Sequence, residues 1–191
     1  MQYFAAKCIA KFFFIKKIFF IEIFQTMKIK VGFGLDVHQL AEGLDFWLGG
    51  ILIPHSKGCV AHSDGDVLIH AICDALLGAA NMRDIGFHFP DNSNIYKNID
   101  SKILLSKTVE IIETKSFVVG NIDCTVCLQK PKIMGYVPDM QTVIASLLKI
   151  DIDDVSIKAT TTEKLGFEGR EEGVSAYCTA LIYKNLENFD S

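Results

Sequence analysis

The sequence lacks an excess of charge of either sign. Its 191 residues include 19 Lys or Arg against 23 Asp or Glu, which gives a net charge of -4. A chain with this balance has no overall attraction to nucleic acid or to an anionic membrane, so functions built on that attraction are excluded. A highly anionic substrate would therefore have to meet local positive groups or a metal ion.

The sequence also lacks a hydrophobic run of the roughly 20 residues that a membrane-spanning helix needs, so no stable membrane insertion is expected. Residues 12–24 are rich in Phe and Ile, but three charged residues interrupt them, and no secretory cleavage site follows. The regular pattern begins after Met27, so residues 1–26 are predicted to lie outside the fold. They are either a targeting or anchoring extension or translated upstream sequence, and we favour the second, with Met27 as the start.

A disulfide framework is missing as well. The six cysteines stand at positions 8, 59, 73, 124, 127 and 178, without regular spacing. In a chain of this length with no secretory context, reduced and buried thiols are expected. Cys124 and Cys127 form a C-x-x-C, but in a predicted strand their sulfurs point to opposite faces, which argues against a redox or zinc role.

Half of the residues are hydrophobic, and no linker or repeat divides the chain, so one domain is expected over 27–186 with a tail at 187–191. Predicted strands span 29–38, 117–128, 155–162 and 174–183, a hairpin spans 46–54, and helices cover 63–81, 101–114 and 139–149. This order indicates an α+β domain. Both faces of the last strand are largely apolar, so its second face needs cover that other subunits could supply.

The first helix has clear end signals. Ser63 is a good N-cap, and Asp66 three residues later completes a capping box. Asn81 is a plausible C-terminal stop. The helix is therefore predicted to begin near Ser63.

Asp36 and His38 form one half of a candidate metal site. They are separated by one residue on a predicted strand, so their side chains leave the same face. Alone, the pair is typical of a solvated acid beside a structural histidine.

The other half of the candidate site is His70, which shares a helical face with Asp66 and Asp74. Such a buried stripe is costly unless its groups are paired or bind a metal, and either acid could orient the second nitrogen of His70.

Two imidazoles and one carboxylate suit zinc, and three protein ligands leave the open position of a catalytic site. The alternative is a satisfied core histidine with capping acids. His62 lies just before the predicted helix, where backbone N–H groups and the helix dipole favour anions. A phosphate oxygen at the open metal position could lie close to it. His55 and His88 are assigned to loops.

Motifs at 34–38, 61–70, 84–86, 89–91, 131–132, 158–167 and 169–170 follow one another along the chain. With them the chain resembles the 2-C-methyl-D-erythritol 2,4-cyclodiphosphate synthase family over residues 28–184. The resemblance implies a mixed four-stranded sheet covered by helices on one face, plus a small hairpin. It also implies a homotrimer whose sheets face a central axis, with active sites between neighbouring subunits.

The resemblance further implies a reaction of the non-mevalonate isoprenoid pathway. The 2-phosphate of 4-diphosphocytidyl-2-C-methyl-D-erythritol 2-phosphate attacks the β-phosphate, CMP leaves and the cyclodiphosphate forms. A bacterial cytoplasmic enzyme is expected, or a plastid one if residues 1–26 are a transit segment. Its partners would be this small molecule and copies of itself, with no nucleic acid. The rival interpretations are a zinc-dependent phosphohydrolase and a trimer with purely structural zinc.

By the same resemblance, Asp36, His38 and His70 would hold zinc, or manganese in its place, with a β-phosphate oxygen as fourth ligand. Glu163 would hold a second ion, Mg or Mn, that bridges the α- and β-phosphates. Without the resemblance, Glu163 would be an ordinary surface acid at the end of a strand.

The resemblance also assigns the substrate contacts. Residues that stabilise the transition state would be His62 and Thr161. Residues around the methylerythritol phosphate would be His62, Ser63, Asp84, Ile85, Gly86, Phe89 and Asp91. Residues around the cytidine would be Leu128, Lys132, Met134, Thr160, Thr161 and Glu163. Phe167 and Arg170 would border the phosphates.

Overall fold

A computed structural model of the chain describes residues 28–90 and 98–184. The predicted extension at 1–26 and the predicted tail at 187–191 lie outside these ranges. Among the helices of the two described ranges, none combines the length and the apolar character needed to cross a membrane.

Four strands are followed by three helices and then by a mixed order of strands and helices, as expected for an α+β domain. Strands β1 to β7 span Ile29–Glu42, Phe46–Leu48, Ile51–Ile53, Lys57–Val60, Phe117–Cys127, Val155–Thr160 and Gly173–Lys184. Helices α1 to α5 span Val67–Ala79, Ile85–His88, Ser101–Glu113, Val137–Leu148 and Gly166–Gly169. Helices α3 and α4 lie within two residues of their predicted bounds, and the α+β class is confirmed.

The main sheet has five strands in the order β4-β1-β7-β5-β6, and β2 and β3 form a separate hairpin. Only the β5–β6 pair in this sheet is parallel. The mixed sheet and the hairpin are confirmed, but the predicted count of four strands is wrong. The fifth strand, β4, pairs with Gln39–Glu42 of β1, beyond the predicted end of that strand. Four residues that include Gly58 are too few to show an alternating pattern.

Helix α1 begins later than predicted. Its N-cap is Asp66, whose side chain accepts the N–H of Ile69 at 3.0 Å. Gly65 has a φ of +74°, which is incompatible with a right-handed helix, so the prediction that Ser63 caps the helix is wrong. The stop at Asn81 is confirmed, since this residue adopts a φ of +57° just after the helix ends.

Helix α1 lies directly on the backbone of β1. A Cβ atom at Gly34 would lie 2.0 Å from the carbonyl oxygen of Ala71, and one at Gly32 would lie 2.0 Å from that of Ala75. No side chain larger than hydrogen fits between the two elements at these points. The contact brings the first turn of α1 against the second half of β1, where two of the candidate metal ligands lie.

The opposite face of the sheet is open in the described part of the chain. The side chains of β1 that alternate with these glycines are apolar and 45 to 64% exposed: Ile29, Val31, Phe33, Leu35 and Val37. Their neighbours on β7 include the half-buried Tyr177 and Leu181. We call this surface the open apolar face. On β7, one set of side chains is buried against the helices and the other lies on this face.

Candidate metal centre and substrate cavities

The three candidate ligands meet at one point. Asp36 and His38 lie on β1, and His70 lies in the first turn of α1. Oδ2 of Asp36 is 3.0 Å from Nε2 of His38 and 3.0 Å from Nδ1 of His70. The two ring nitrogens are 3.2 Å apart. The three atoms therefore form a nearly equilateral triangle.

This triangle fits a tetrahedral metal ion. Zinc bonds of about 2.0–2.1 Å place ligand atoms roughly 3.3 Å apart, only slightly more than the observed separations of 3.0 to 3.2 Å. The donor set of two imidazoles and one carboxylate also suits a divalent transition metal better than calcium. Among the described residues, these three form a group that could hold a metal ion, and they leave one coordination position open.

The electrostatics of the triangle favour a cation. Burial would raise the pKa of Asp36, but hydrogen bonds to His38 and His70, and their charges, outweigh it and hold the pKa far below its usual range. Burial would lower the pKa of His70, but the hydrogen bond to Asp36 and the surrounding carboxylates raise it. Asp36 is therefore ionised at neutral pH, and an arriving metal competes with a proton on His70.

The second nitrogen of His70 faces two serines. Nε2 lies 3.0 Å from Oγ of Ser101 and 3.2 Å from Oγ of Ser63. The hydroxyl of Ser101 donates in turn to the carboxylate of Asp64. The sequence does not identify Ser101 or Asp64 as site residues. Asp100 and Ser101 have the signature of a helix start, but that signal does not say what the helix end contacts.

The prediction that Asp66 or Asp74 orients His70 is wrong. The carboxylate of Asp66 accepts the N–H of Gly49 at 2.9 Å, in addition to capping its own helix. The carboxylate of Asp74 accepts the N–H of Ile85 at 2.8 Å, at the start of α2. Both acids satisfy backbone donors of other segments, which a helical repeat cannot reveal.

A cavity of about 320 Å³ opens beside the triangle, with His38 and His70 in its wall. The remaining wall consists of Ala61, His62, Ser63, Ile85, Gly86, Phe89, Ile99 and Leu104. Five residues predicted around the methylerythritol phosphate thus share one wall. Asp84 instead caps α2 by accepting the N–H of Phe87 at 2.9 Å, and Asp91 lies outside the described residues. We call the 320 Å³ cavity the metal cavity.

A second cavity of about 160 Å³ is lined by Leu128, Pro131, Lys132, Ile133, Met134, Ala159, Thr160 and Thr161. It contains every residue predicted around the cytidine except Glu163. The hydroxyl of Thr161 donates to Oε1 of Glu163 at 2.8 Å, and the side chain of Glu163 is exposed. We call this the threonine cavity.

Phe167 and Arg170 line neither cavity. Phe167 is 37% exposed and lies over Gly173, where an added Cβ atom would be 2.8 Å from its ring. Arg170 forms an exposed ion pair with Glu172, with Nη2 and Oε2 2.9 Å apart. Their predicted place beside the phosphates stays a prediction.

The two cavities lie at the same end of the sheet but on different strands. His38 pairs with Val174 of β7, and Cys127 of β5 pairs with the adjacent Ser175. Thr160 of β6 pairs with Cys127. His38 on β1 and Thr160 on β6 are therefore in one row, separated by three strand spacings, or roughly 14 Å. Within one chain, a ligand held in one cavity is well separated from the other.

The cysteines take no part in this site. The five in the described ranges are free thiols, at positions 59, 73, 124, 127 and 178. Burial raises the pKa of Cys59 to about 12 and that of Cys73 to about 12, so both stay protonated and are poor metal ligands. Cys124 and Cys127 lie in β5 as predicted. The expected burial is confirmed for Cys59, Cys73, Cys124 and Cys178, while Cys127 is half-buried.

The chain is similar in sequence to a known protein family. The YgbB family matches residues 29–183. The 2-C-methyl-D-erythritol 2,4-cyclodiphosphate synthase of Bacteroides fragilis is 70% identical over 156 residues, which cover 82% of this chain and 98% of the relative.

Two solved structures are similar in fold. The bifunctional IspDF of Campylobacter jejuni has a TM-score of 0.81 at 40% identity, and the match covers 84% of this chain but 43% of that one. A 2C-methyl-D-erythritol-2,4-cyclodiphosphate synthase in its CDP-bound form has a TM-score of 0.75 at 30% identity. That match covers 80% of this chain and 99% of the other.

Proposed function

Because the chain belongs to the YgbB family and acts as a cyclodiphosphate synthase in isoprenoid biosynthesis, we propose that its substrate is 4-diphosphocytidyl-2-C-methyl-D-erythritol 2-phosphate. The 2-phosphate attacks the β-phosphorus, the bond to the CMP oxygen breaks, and 2-C-methyl-D-erythritol 2,4-cyclodiphosphate forms. This makes the enzyme a phosphorus–oxygen lyase. The observation that carries the proposal is the triangle of Asp36, His38 and His70 in the wall of the metal cavity.

The reaction needs no protein nucleophile, since attacking and leaving groups belong to one molecule. The protein has to fold a flexible polyanion on itself and stabilise charge at the β-phosphorus. His62 and Ser63 line the metal cavity and would hold the methylerythritol phosphate half. Lys132 and Thr160 line the threonine cavity and would hold the cytidine half. A similar solved protein is bound to CDP, which supports a substrate that carries cytidine. His62 and Thr161 would stabilise the transition state.

Two divalent ions are proposed. Zinc, or manganese, would bind Asp36, His38 and His70, where it supplies Lewis acidity to a β-phosphate oxygen. Magnesium or manganese would bind Glu163, because a hard ion prefers carboxylate, phosphate and water oxygens. The hydroxyl of Thr161 holds Oε1 of Glu163 and leaves Oε2 for an ion.

We propose that three copies of the chain assemble around an axis, with their open apolar faces inward. Contiguous apolar surface of this kind marks an interaction site, and Val31 and Phe33 at its centre are 64% and 63% exposed. The separation of roughly 14 Å between the cavities along one sheet gives a second reason. A neighbouring copy could bring its threonine cavity to the metal cavity of the first.

We assign the enzyme to the bacterial cytoplasm. The relative that is 70% identical belongs to Bacteroides fragilis, and a bacterium has no plastid to receive a transit segment. The roles of residues 1–26 and 187–191 as segments outside the domain at 27–186 stay predictions.

Product analysis tests the function directly. Incubation of the zinc- and magnesium-loaded protein with the diphosphocytidyl substrate is expected to release CMP and a cyclic diphosphate in equal amounts, detected by ³¹P NMR. A metal-bound hydroxide would instead give CMP and a linear product. A linear product would support the phosphohydrolase and overturn the cyclase, and the absence of CMP would leave only the structural-zinc interpretation.

Glu163→Gln tests the second ion. The substitution removes the charge but keeps the shape, so zinc content is expected to be unchanged while turnover at saturating substrate falls on the order of 10–100-fold. A higher magnesium concentration should recover part of the loss, since a weakened site can be filled by mass action. Glu110→Gln, which changes an exposed acid on α3 outside both cavities, serves as the comparison. Unchanged turnover in Glu163→Gln at low magnesium would contradict the assignment.

A further inference from the structure

The hydrogen-bonded chain behind His70 has a defined direction. Ser101 is fully buried, and its hydroxyl lies between Nε2 of His70 at 3.0 Å and the carboxylate of Asp64. Oδ2 of Asp64 also accepts the N–H of Ser101 at 2.8 Å, and Oδ1 accepts the N–H of Asp66 at 3.2 Å. Both oxygens of Asp64 therefore act as acceptors. The Ser101 hydrogen therefore points to Asp64, and its oxygen lone pair is left for His70.

That lone pair selects one form of the imidazole. A neutral histidine carries its proton on one nitrogen and offers the other as a ligand. Nδ1 of His70 faces the metal triangle, 3.0 Å from Oδ2 of Asp36. If the proton were on Nδ1, it would bond to Asp36 and block the metal. A proton on Nε2 satisfies Ser101 instead and leaves Nδ1 free.

We propose that Asp64 and Ser101 are positioning residues that hold His70 with its proton on Nε2 and present Nδ1 to the metal. This inference rests on the proposed metal site, and it identifies two residues outside the ligand set that affect how tightly the site binds the metal. Carboxylates commonly orient metal-bound histidines directly; here a serine hydroxyl connects the two. We call this arrangement the Asp64–Ser101 relay.

Ser63 does not serve the same role. Its oxygen is also within reach of Nε2, at 3.2 Å, but it accepts the N–H of Gly65 at 3.1 Å as well. It lies in the wall of the metal cavity, where it would meet substrate. Ser101 has the shorter contact and continues to a carboxylate, so the relay runs through Ser101.

Zinc affinity tests the relay without using activity. The dissociation constant is measured by competition with a chromophoric chelator for the wild type, Ser101→Ala, Asp64→Asn and the double variant. Each single variant is expected to bind zinc about 10–100-fold more weakly, the loss typical of removing a partner that orients a ligand. The double variant should lose little more than either single one, because both belong to one chain of hydrogen bonds.

Ser106→Ala is the matched control. Ser106 lies on the same helix as Ser101, five residues further on and therefore on another side of it. The Ser106→Ala variant should bind zinc with the same affinity as the wild type. The absorption spectrum of cobalt-loaded protein should shift in the relay variants but not in this control. Equal zinc affinity in Ser101→Ala, Asp64→Asn and the wild type would overturn the relay. Failure of the wild type to bind zinc would instead overturn the proposed metal site.

A measurement on the unaltered protein covers the case in which a variant does not fold. In the ¹⁵N NMR spectrum of histidine-labelled, zinc-loaded protein, His70 should carry a proton on Nε2 that exchanges slowly with water, with Nδ1 bound to the metal. A His70 with zinc on Nε2 and a proton on Nδ1 would refute the proposal.

Discussion

The His70→Ala variant is expected to lose both its bound zinc and its turnover. The substitution leaves Asp36 and His38 as two ligands on one strand, which cannot complete the site. Removing a single group that stabilises developing charge costs on the order of 10²–10³ in rate, and loss of the ion itself should cost at least as much. Zinc content is measured by mass spectrometry of the purified protein, and turnover by CMP release.

The Asp36→Asn variant is also expected to lose its zinc and its turnover, because the amide keeps the shape of the carboxylate but removes the charge that attracts the ion. Asp45→Asn, an exposed acid outside both cavities, is its control and should retain zinc. Both ligand variants should still assemble, since neither side chain lies on the open apolar face. Zinc-dependent turnover that survives His38→Ala would refute the ligand assignment. If removing the metal unfolds the wild-type protein while the His70→Ala variant keeps its turnover, structural zinc is favoured instead.

Two inactive variants are expected to restore activity when they are produced together. In the proposed trimer, each site takes its metal cavity from one chain and its threonine cavity from a neighbour. Chains with His70→Ala and chains with Glu163→Ala each lack one half. In randomly mixed trimers, about a quarter of the sites combine two intact halves. Activity should therefore rise from near zero in either variant alone to about a quarter of the wild-type value.

The reference mixture combines wild-type chains with chains that carry both substitutions. If each site is built from two chains, about a quarter of the sites in this mixture are intact. If one chain supplies both halves of a site, about half of the sites are intact. If each site lies within one chain, the first mixture should recover no activity and the second should have about half of the wild-type activity. That result would contradict shared sites even if the protein is a trimer, as measured by light scattering.

Local patterns carried most of the correct predictions. Residues two apart on a strand leave the same face, which is why Asp36 and His38 could be paired from the sequence, and the resemblance added His70 to them as the third ligand. Hydrophobic periodicity likewise gave helices α3 and α4 nearly to the residue. The resemblance, rather than any periodicity, grouped the residues that line the two cavities.

Contacts between distant segments could not be predicted in this way. Asp66 and Asp74 have the spacing of histidine partners, but their carboxylates bind backbone N–H groups of loops that the helical repeat does not describe. Ser101 meets Asp64 across 37 residues of sequence. Strand β4 forms because the end of β1 is available to pair with it. Each depends on the three-dimensional arrangement, which local propensity does not encode.

The contact between Gly34 and Ala71 has a consequence for how the ion is recognised. Backbone atoms, which have no rotamers, set the distance between β1 and α1 at this point. The ligands on the strand and the ligand on the helix are thus held in register before any ion arrives, so little ordering entropy is lost on binding. The same rigidity makes the site selective: an ion that demands a wider or more crowded shell cannot push the helix away from the strand to obtain it.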